Sequence, residues 1–362
     1  MKQSCVMSVI AAVGCLTAHT WAQDQVKQPE TKPETKPQVA PERPYHAMEM
    51  IRREAARLRR TVKHDSTRMF LFAASWLPVV ETRTVMYNPE TEDAISMAEF
   101  NSRPEQMRKG YEELKLDDKF YYFTRYGSPA AYSRAVDIVA EQAPGVKNWF
   151  KGKKVLDYGF GGIGHLRLMA LLGADVTGVE VDPVLKALYS DPIDTGTVAA
   201  ASSMGDDVQD GNLRLLFGSW PKELNEQAGG GYDLFLSKNT LKKGYVHPAQ
   251  PIPDRQRLQL GVTDEEFVRA MSGMLKPGGF ALIYNLHPKQ NAEKYIPWAD
   301  GASPFTRDAF EAAGFEVIAF DQNDSAEARE MGRQLKWNEG ESAMDLDNDL
   351  FATYTLLRKK AE

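Results

Sequence analysis

The segment Val155-Leu156-Asp157-Tyr158-Gly159-Phe160-Gly161-Gly162-Ile163-Gly164 constrains this chain more than any other. A short apolar run ends in an acid, a glycine-rich turn follows, and a helix is predicted from about His165 to Leu172. A second apolar strand, Val176 to Val179, ends in another carboxylate, Glu180. Glycines in such a turn let the backbone take positive φ and run close to a bound ligand. A carboxylate at the second strand's end is placed to accept hydrogen bonds from a ribose diol. The pair predicts a nucleoside-bearing cofactor at the carboxyl edge of a parallel sheet.

Gly159, Gly161 and Gly164 satisfy the dinucleotide pattern G-x-G-x-x-G, which is a weak signal alone. Asp157 precedes the first of them by two residues, where its charge opposes a pyrophosphate at the helix N-terminus. The same charge suits the cationic amino-acid end of S-adenosylmethionine. Val155 to Pro183 thus resembles the first two motifs of the class I S-adenosylmethionine-dependent methyltransferases. That family's turn has glycines two, four and six residues after the acid. Here they stand two, four, five and seven after it, with Ile163 at the sixth place. The resemblance implies that Asp157, Gly159, Gly161, Gly162 and Gly164 hold the methionine part and Glu180 the ribose.

The downstream order is similar to the same family. Leu213 to Phe217 reads as the third strand, followed by Gly218-Ser219-Trp220-Pro221. Ser219 stands where the family often has an adenine-binding Asp, and Trp220 is a candidate to stack on the base or a plain core residue. Tyr232 to Ser237 resembles the fourth strand, and Leu275-Lys276-Pro277-Gly278-Gly279 the turn into a fifth, Phe280 to Tyr284. Thr306 to Gly314, then Phe315 to Ile318, resemble the last helix and sixth strand. Leu350 to Leu357 resembles the closing antiparallel strand. The resemblance spans roughly residues 120–358 and implies a Rossmann-like α/β fold with a seven-stranded, mostly parallel sheet.

With 362 residues, 43% of them hydrophobic, the chain has ample core for one large domain and an appendage. A net charge of −6 argues against a nucleic-acid binder, which would show a broad basic surface. Residues 1–22 read as a signal peptide: Lys2, an apolar run from Val6 to Leu16, and Thr20-Trp21-Ala22 before Gln23. Cys15 weakly resembles a lipoprotein cleavage box, so a lipidated or uncleaved anchor is the alternative. Both cysteines, Cys5 and Cys15, lie in this segment, so the mature chain would form no disulfide. Residues 23–44, with Glu-Thr-Lys-Pro at 30–33 and again at 34–37, read as an extended linker. Residues 45–119 are expected to form a mostly helical cap over the cofactor site. It opens on a basic amphipathic helix carrying Met48, Ile51, Ala55, Leu58 and Val62 among Arg52, Arg53, Arg57, Arg59 and Arg60. That helix suits either peripheral contact with an anionic membrane or packing on the domain with solvated arginines. Residues 120–362 form the predicted S-adenosylmethionine-binding domain; Ser128-Pro129 reads as a helix start, and Arg125 or Tyr126 as a partner for the cofactor carboxylate.

Methyl transfer from a sulfonium is an in-line displacement, so the protein must position two groups and, where needed, remove a proton. Candidates therefore follow the fourth and fifth strands. After the fourth come Lys238 and Asn239, which could hold an acidic or amide group, Tyr245, which could orient an acceptor, and His247, a base near neutral pH. The competing reading leaves the lysines solvated and His247-Pro248 as a turn. Thr263-Asp264-Glu265-Glu266 reads as a capping box. The six histidines lack ligand spacing, Asp345 to Asp349 lacks the glycine of a calcium loop, and no metal site is expected. No Pro-Pro-Tyr tetrad follows the fourth strand, which disfavours a DNA base as acceptor.

These features predict a periplasmic or membrane-anchored enzyme that methylates a small molecule or envelope component. The alternative is an exported protein that binds a nucleoside or metabolite on the same scaffold without methyl transfer.

Overall fold

The computed structural model describes residues 47–361; the segments read as a signal peptide, residues 1–22, and as a linker, residues 23–44, lie outside the described residues. Eleven strands are described: β1 (Arg83–Asn88), β2 (Asp93–Ser96), β3 (Glu112–Leu116), β4 (Lys154–Tyr158), β5 (Asp175–Glu180), β6 (Gly196–Val198), β7 (Gly211–Phe217), β8 (Tyr232–Lys238), β9 (Leu275–His287), β10 (Phe315–Asn323) and β11 (Phe351–Lys359). The last eight form one sheet in the order β10-β11-β9-β8-β4-β5-β7-β6. β4 pairs in parallel with both β5 and β8, and parallel pairing continues to β7 on one side and β9 on the other. β11 runs antiparallel between β9 and β10. The expected Rossmann-like sheet is present, with one strand more than the predicted seven: β6, only three residues long, pairs antiparallel on the edge of β7.

The central strands are apolar on both faces, as strands covered by helices on each side must be. One face of the sheet buries Val155, Leu236, Leu282 and Tyr284 with the helices Ser133–Ala140 and Gly164–Leu171. The other buries Leu156, Phe235, Ala281 and Ile283 with Asp264–Met274 and Arg307–Ala312. Between β8 and β9 the register jumps from Tyr232↔Leu275 to Leu234↔Phe280, so Lys276 to Gly279 are looped out in the expected Pro-Gly-Gly turn. The capping box is formed: Thr263 Oγ1 accepts from the Glu266 N–H at 3.3 Å and Glu266 Oε2 from the Thr263 N–H at 2.9 Å.

The expected helical cap also holds a small sheet that the sequence reading did not include. Within residues 45–119, β2-β1-β3 make a three-stranded antiparallel sheet that packs on the helix Pro183–Leu188. Short, charge-rich strands such as Glu112-Glu113-Leu114-Lys115-Leu116 give only a faint alternating signal. Arg83 anchors this sheet, donating to both oxygens of the buried Asp194 at 2.6 and 2.9 Å. The first helix, Ala47–Leu58, buries Ala47, Ile51, Ala55 and Leu58, so the apolar face that a membrane contact would use is already covered. Its arginines are mostly exposed, as the packed alternative expected, yet three of them hold the helix on the protein. Arg52 donates to the Ser75 carbonyl at 2.7 Å, Arg57 to the Gln334 carbonyl at 2.5 Å, and Arg59 lies 4.5 Å over the Phe72 ring.

Candidate active site

β4 has β5 on one side and β8 on the other, so the chain's winding reverses there, the point where open α/β sheets hold ligands in a crevice at the carboxyl ends. Asp157 is level with Gly178 of β5 and Leu236 of β8. Because alternate residues share a face, Leu236 and Lys238 point to the same side as Asp157. That side also carries the helix Gly164–Leu171, started by the glycine turn, and the Ser128-capped turn Pro129–Tyr132.

The result is a buried polar cluster. His165 Nε2 lies 2.5 Å from Asp157 Oδ2, and the Tyr132 ring stacks on the imidazole with centroids 3.5 Å apart. Lys238 Nζ sits 4.8 Å over the same tyrosine ring. Three polar atoms here have no protein partner: Asp157 Oδ1, His165 Nδ1 and Lys238 Nζ. Burial lowers the His165 pKa despite the opposing pull of Asp157. Burial also brings Lys238 down to about 7, against the opposing attraction of Asp157. Such an amine is poised to exchange a proton near neutral pH.

The glycine turn is shaped as much by its own chain as by any ligand. Gly159 and Gly161 have φ of +73° and +61°, which favour glycine. A Cβ on Gly159 would stand 2.3 Å from Thr240 Oγ1, and one on Gly164 would stand 2.2 Å from Pro129 Cγ. Gly162 is similarly tight, since a Cβ there would stand 2.5 Å from the Phe123 carbonyl oxygen. Gly161, by contrast, has nothing closer than the Thr124 Cβ at 3.7 Å.

Glu180 ends β5 at the mouth of the crevice, partly exposed. Its Oε2 accepts from the Gly161 N–H at 3.0 Å and its Oε1 from the Val181 N–H at 2.8 Å. Burial, then the neighbouring Asp182 charge, raises its pKa. Val181 beside it is 64% exposed and offers an apolar surface. The Gly218 N–H donates to the Glu180 carbonyl at 2.9 Å, which brings Ser219 alongside; the Ser219 N–H is held by Glu223 Oε2 at 2.9 Å. Trp220 is different. It is fully buried against Tyr158, Phe235 and Phe267, with ring centroids 5.8, 5.5 and 5.0 Å away, and shows the crevice no open face.

The segment after β8 divides in two. Asn239 takes φ +64° and its Oδ1 accepts from the Leu286 N–H at 2.6 Å, so its amide is committed to holding β9. His247 is 44% exposed and bonds Asp264 Oδ2 at 2.7 Å, outside the buried cluster. Lys238 and Lys242 are both buried, against the solvated reading of these lysines. Lys242 Nζ donates to the Leu286 carbonyl at 2.6 Å and lies 4.8 and 5.6 Å from the rings of Tyr126 and Tyr245. The hydroxyls of those two tyrosines are 2.8 Å apart. Arg125, the other candidate for the cofactor carboxylate, is exposed.

The structure therefore gathers Asp157, the glycine turn, Glu180, Ser219, Lys238 and Tyr245 around one sheet edge. It leaves Asn239, His247 and Trp220 in supporting positions. Sequence reasoning missed His165, Tyr132 and Lys242. His165 carried a legible signal, since it opens the helix after the turn, eight residues from Asp157.

No known family profile matches this chain, and no curated protein does. Solved structures are similar over part of it. The cyclase SpnF is 19% identical over 63% of this chain and 81% of its own, with a TM-score of 0.34. The 1,6-didemethyltoxoflavin-N1-methyltransferase of Burkholderia thailandensis, with bound S-adenosylhomocysteine, is 17% identical over 64% and 80%, with a TM-score of 0.34. Magnesium protoporphyrin IX methyltransferase of Synechocystis PCC 6803, with bound SAM, is 12% identical over 64% and 78%, with a TM-score of 0.30. Identities this low carry no residue roles across.

Proposed function

We propose that this protein transfers a methyl group from S-adenosylmethionine to a small-molecule or envelope acceptor. One observation carries the reading: carboxylates end two adjacent parallel strands, joined by a glycine turn whose Gly161 N–H bonds Glu180 Oε2 at 3.0 Å. These residues fit the cofactor. Glu180 is acceptor-only and partly exposed, as a ribose diol requires, and Asp157 keeps an unpartnered oxygen for a cationic amine. The cofactor would supply an electrophilic methyl on sulfonium sulfur. The chain's own residues would hold it, with Ser219 and the exposed Val181 beside the base. Tyr245, bonded to Tyr126 above Lys242, would line the acceptor side.

Calorimetric titration of S-adenosylmethionine and S-adenosylhomocysteine tests this. Binding that Glu180→Ala weakens at least tenfold, about 1.4 kcal/mol, with the fold intact supports the reading. Unchanged affinity in that variant removes its basis.

A second reading, binding of a nucleoside or metabolite without transfer, is favoured by the engagement of Asp157 with His165. It expects binding but no methylated product across a panel of acceptors. Export is a separate proposal, resting on Lys2, the apolar run Val6 to Leu16 and Ala22. Fusing residues 1–44 to a reporter active only after export decides it; an uncut, inactive fusion would end the proposal.

A further inference from the structure

We propose that Lys238 works as a neutral amine in this site, shedding its own proton before a sulfonium is seated beside it and taking the acceptor's proton as the methyl moves. The inference rests on the methyl-transfer reading and narrows its substrates to neutral acceptors with a removable proton, such as a hydroxyl or an uncharged amine. Three observations carry it. Lys238 closes β8 two residues beyond the partner of Asp157, at the reversal of the sheet where a ligand must lie. Its Nζ is enclosed, yet has no hydrogen-bond partner among the described residues. Lys242, buried nearby, donates to carbonyls of Leu286 and Trp298, so lack of a partner is particular to Lys238. An ammonium enclosed without hydrogen bonds is strongly disfavoured, and the group gives up its proton instead. Its pKa, lowered by burial, agrees with this.

In the step itself the acceptor's lone pair forms the bond to the methyl carbon as the carbon–sulfur bond breaks, its electron pair staying on sulfur. The acceptor's proton passes to Lys238 Nζ. The new ammonium is then stabilised by the Asp157 charge and the Tyr132 ring, and sulfur has lost its positive charge. The transfer therefore moves one positive charge from sulfur to Lys238 Nζ and adds no second one.

The two cofactor forms test this without any acceptor, because they differ at this position by one charge. S-adenosylmethionine should bind better relative to S-adenosylhomocysteine as pH rises from 6 to 8.5, by about tenfold for each pKa unit that the sulfonium shifts Lys238. The ligands' own amines also titrate in this range, and comparison with Lys238→Met, which leaves them unchanged, removes their contribution. Other groups facing Lys238 are Asp157, His165, Tyr132 and Lys242, with Arg125, Tyr126 and Tyr245 beyond Lys242. Lys238→Met assigns the effect and should flatten the ratio while S-adenosylhomocysteine still binds. If that variant does not fold, nitrogen-15 lysine spectra of the wild type should show a side-chain amine titrating near 7, distinct from that of Lys242, which burial also lowers. Both ligands binding with a pH-independent ratio, or every lysine titrating near its ordinary value, would overturn the inference alone. Neither ligand binding at any pH would instead remove the methyl-transfer reading beneath it.

Discussion

His165 Nε2 stands 2.5 Å from Asp157 Oδ2, with both side chains fully enclosed and the Tyr132 ring stacked against the imidazole. A carboxylate this close ordinarily raises a histidine's pKa, but here burial outweighs it and the pKa falls. The unfolded chain therefore takes up a proton at His165 before the folded chain does. Stability should decline as pH falls below the ordinary histidine value of 6.5 toward the lower folded value. Melting temperatures between pH 7.5 and 5 should show this, and His165→Gln should lessen the slope. Equal slopes in the two proteins would locate the acid sensitivity elsewhere.

Lys238 has the opposite window. Its folded pKa is about 7 against an ordinary 10.5, so the unfolded chain holds the extra proton between those values and stability rises with pH across them. Lys238→Met keeps the side-chain length and removes the amine. It should stabilise the protein at pH 7 by up to about 4 kcal/mol, with the gain vanishing near pH 10.5. Urea unfolding at pH 7 and pH 10 measures the difference. A variant less stable than wild type at both pH values would mean that the amine is partnered in solution.

The glycines of the turn should separate by mechanism. Gly161→Ala meets little steric obstruction and suffers mainly its positive φ, so it should cost about 1–2 kcal/mol. Gly164→Ala drives a Cβ into Pro129 and the Tyr122 carbonyl and should cost ~3 kcal/mol or more. Chemical unfolding of both variants gives the ranking, and the reverse order would contradict the packing of the Tyr122–Pro129 segment on the turn.

Trp220 should behave as core. Trp220→Phe should lower stability by about 1–3 kcal/mol while S-adenosylhomocysteine affinity stays within about twofold, roughly 0.4 kcal/mol. A tenfold loss of affinity with little loss of stability would return the indole to the adenine site.

The strands and turns around the crevice were legible because their signals are local. Val155 to Asp157, the glycines and Glu180 lie within 26 consecutive residues, and one strand-turn-helix-strand unit brings them together. Hydrophobic runs marked β7, β8 and β9 for the same reason. The small sheet β2-β1-β3 was missed because its strands are short and charged, and their stability comes from packing on Pro183–Leu188 and from Arg83 gripping Asp194 across the fold.

Side-chain environment divided the candidates after β8. Lys238, Lys242 and His247 are all polar residues in one short stretch from the end of β8 onward, and nothing in their order shows which are enclosed. Tyr132 comes from upstream, His165 from the turn's helix, and Tyr126 from a segment laid across the turn, and only their convergence strips water from the two lysines. Sequence by itself determined the sheet, its glycine turn and the two carboxylates, since periodicity and positive φ act over a few residues. Tertiary structure alone decided that Lys238 is enclosed without a partner, because desolvation depends on atoms that lie far apart along the chain.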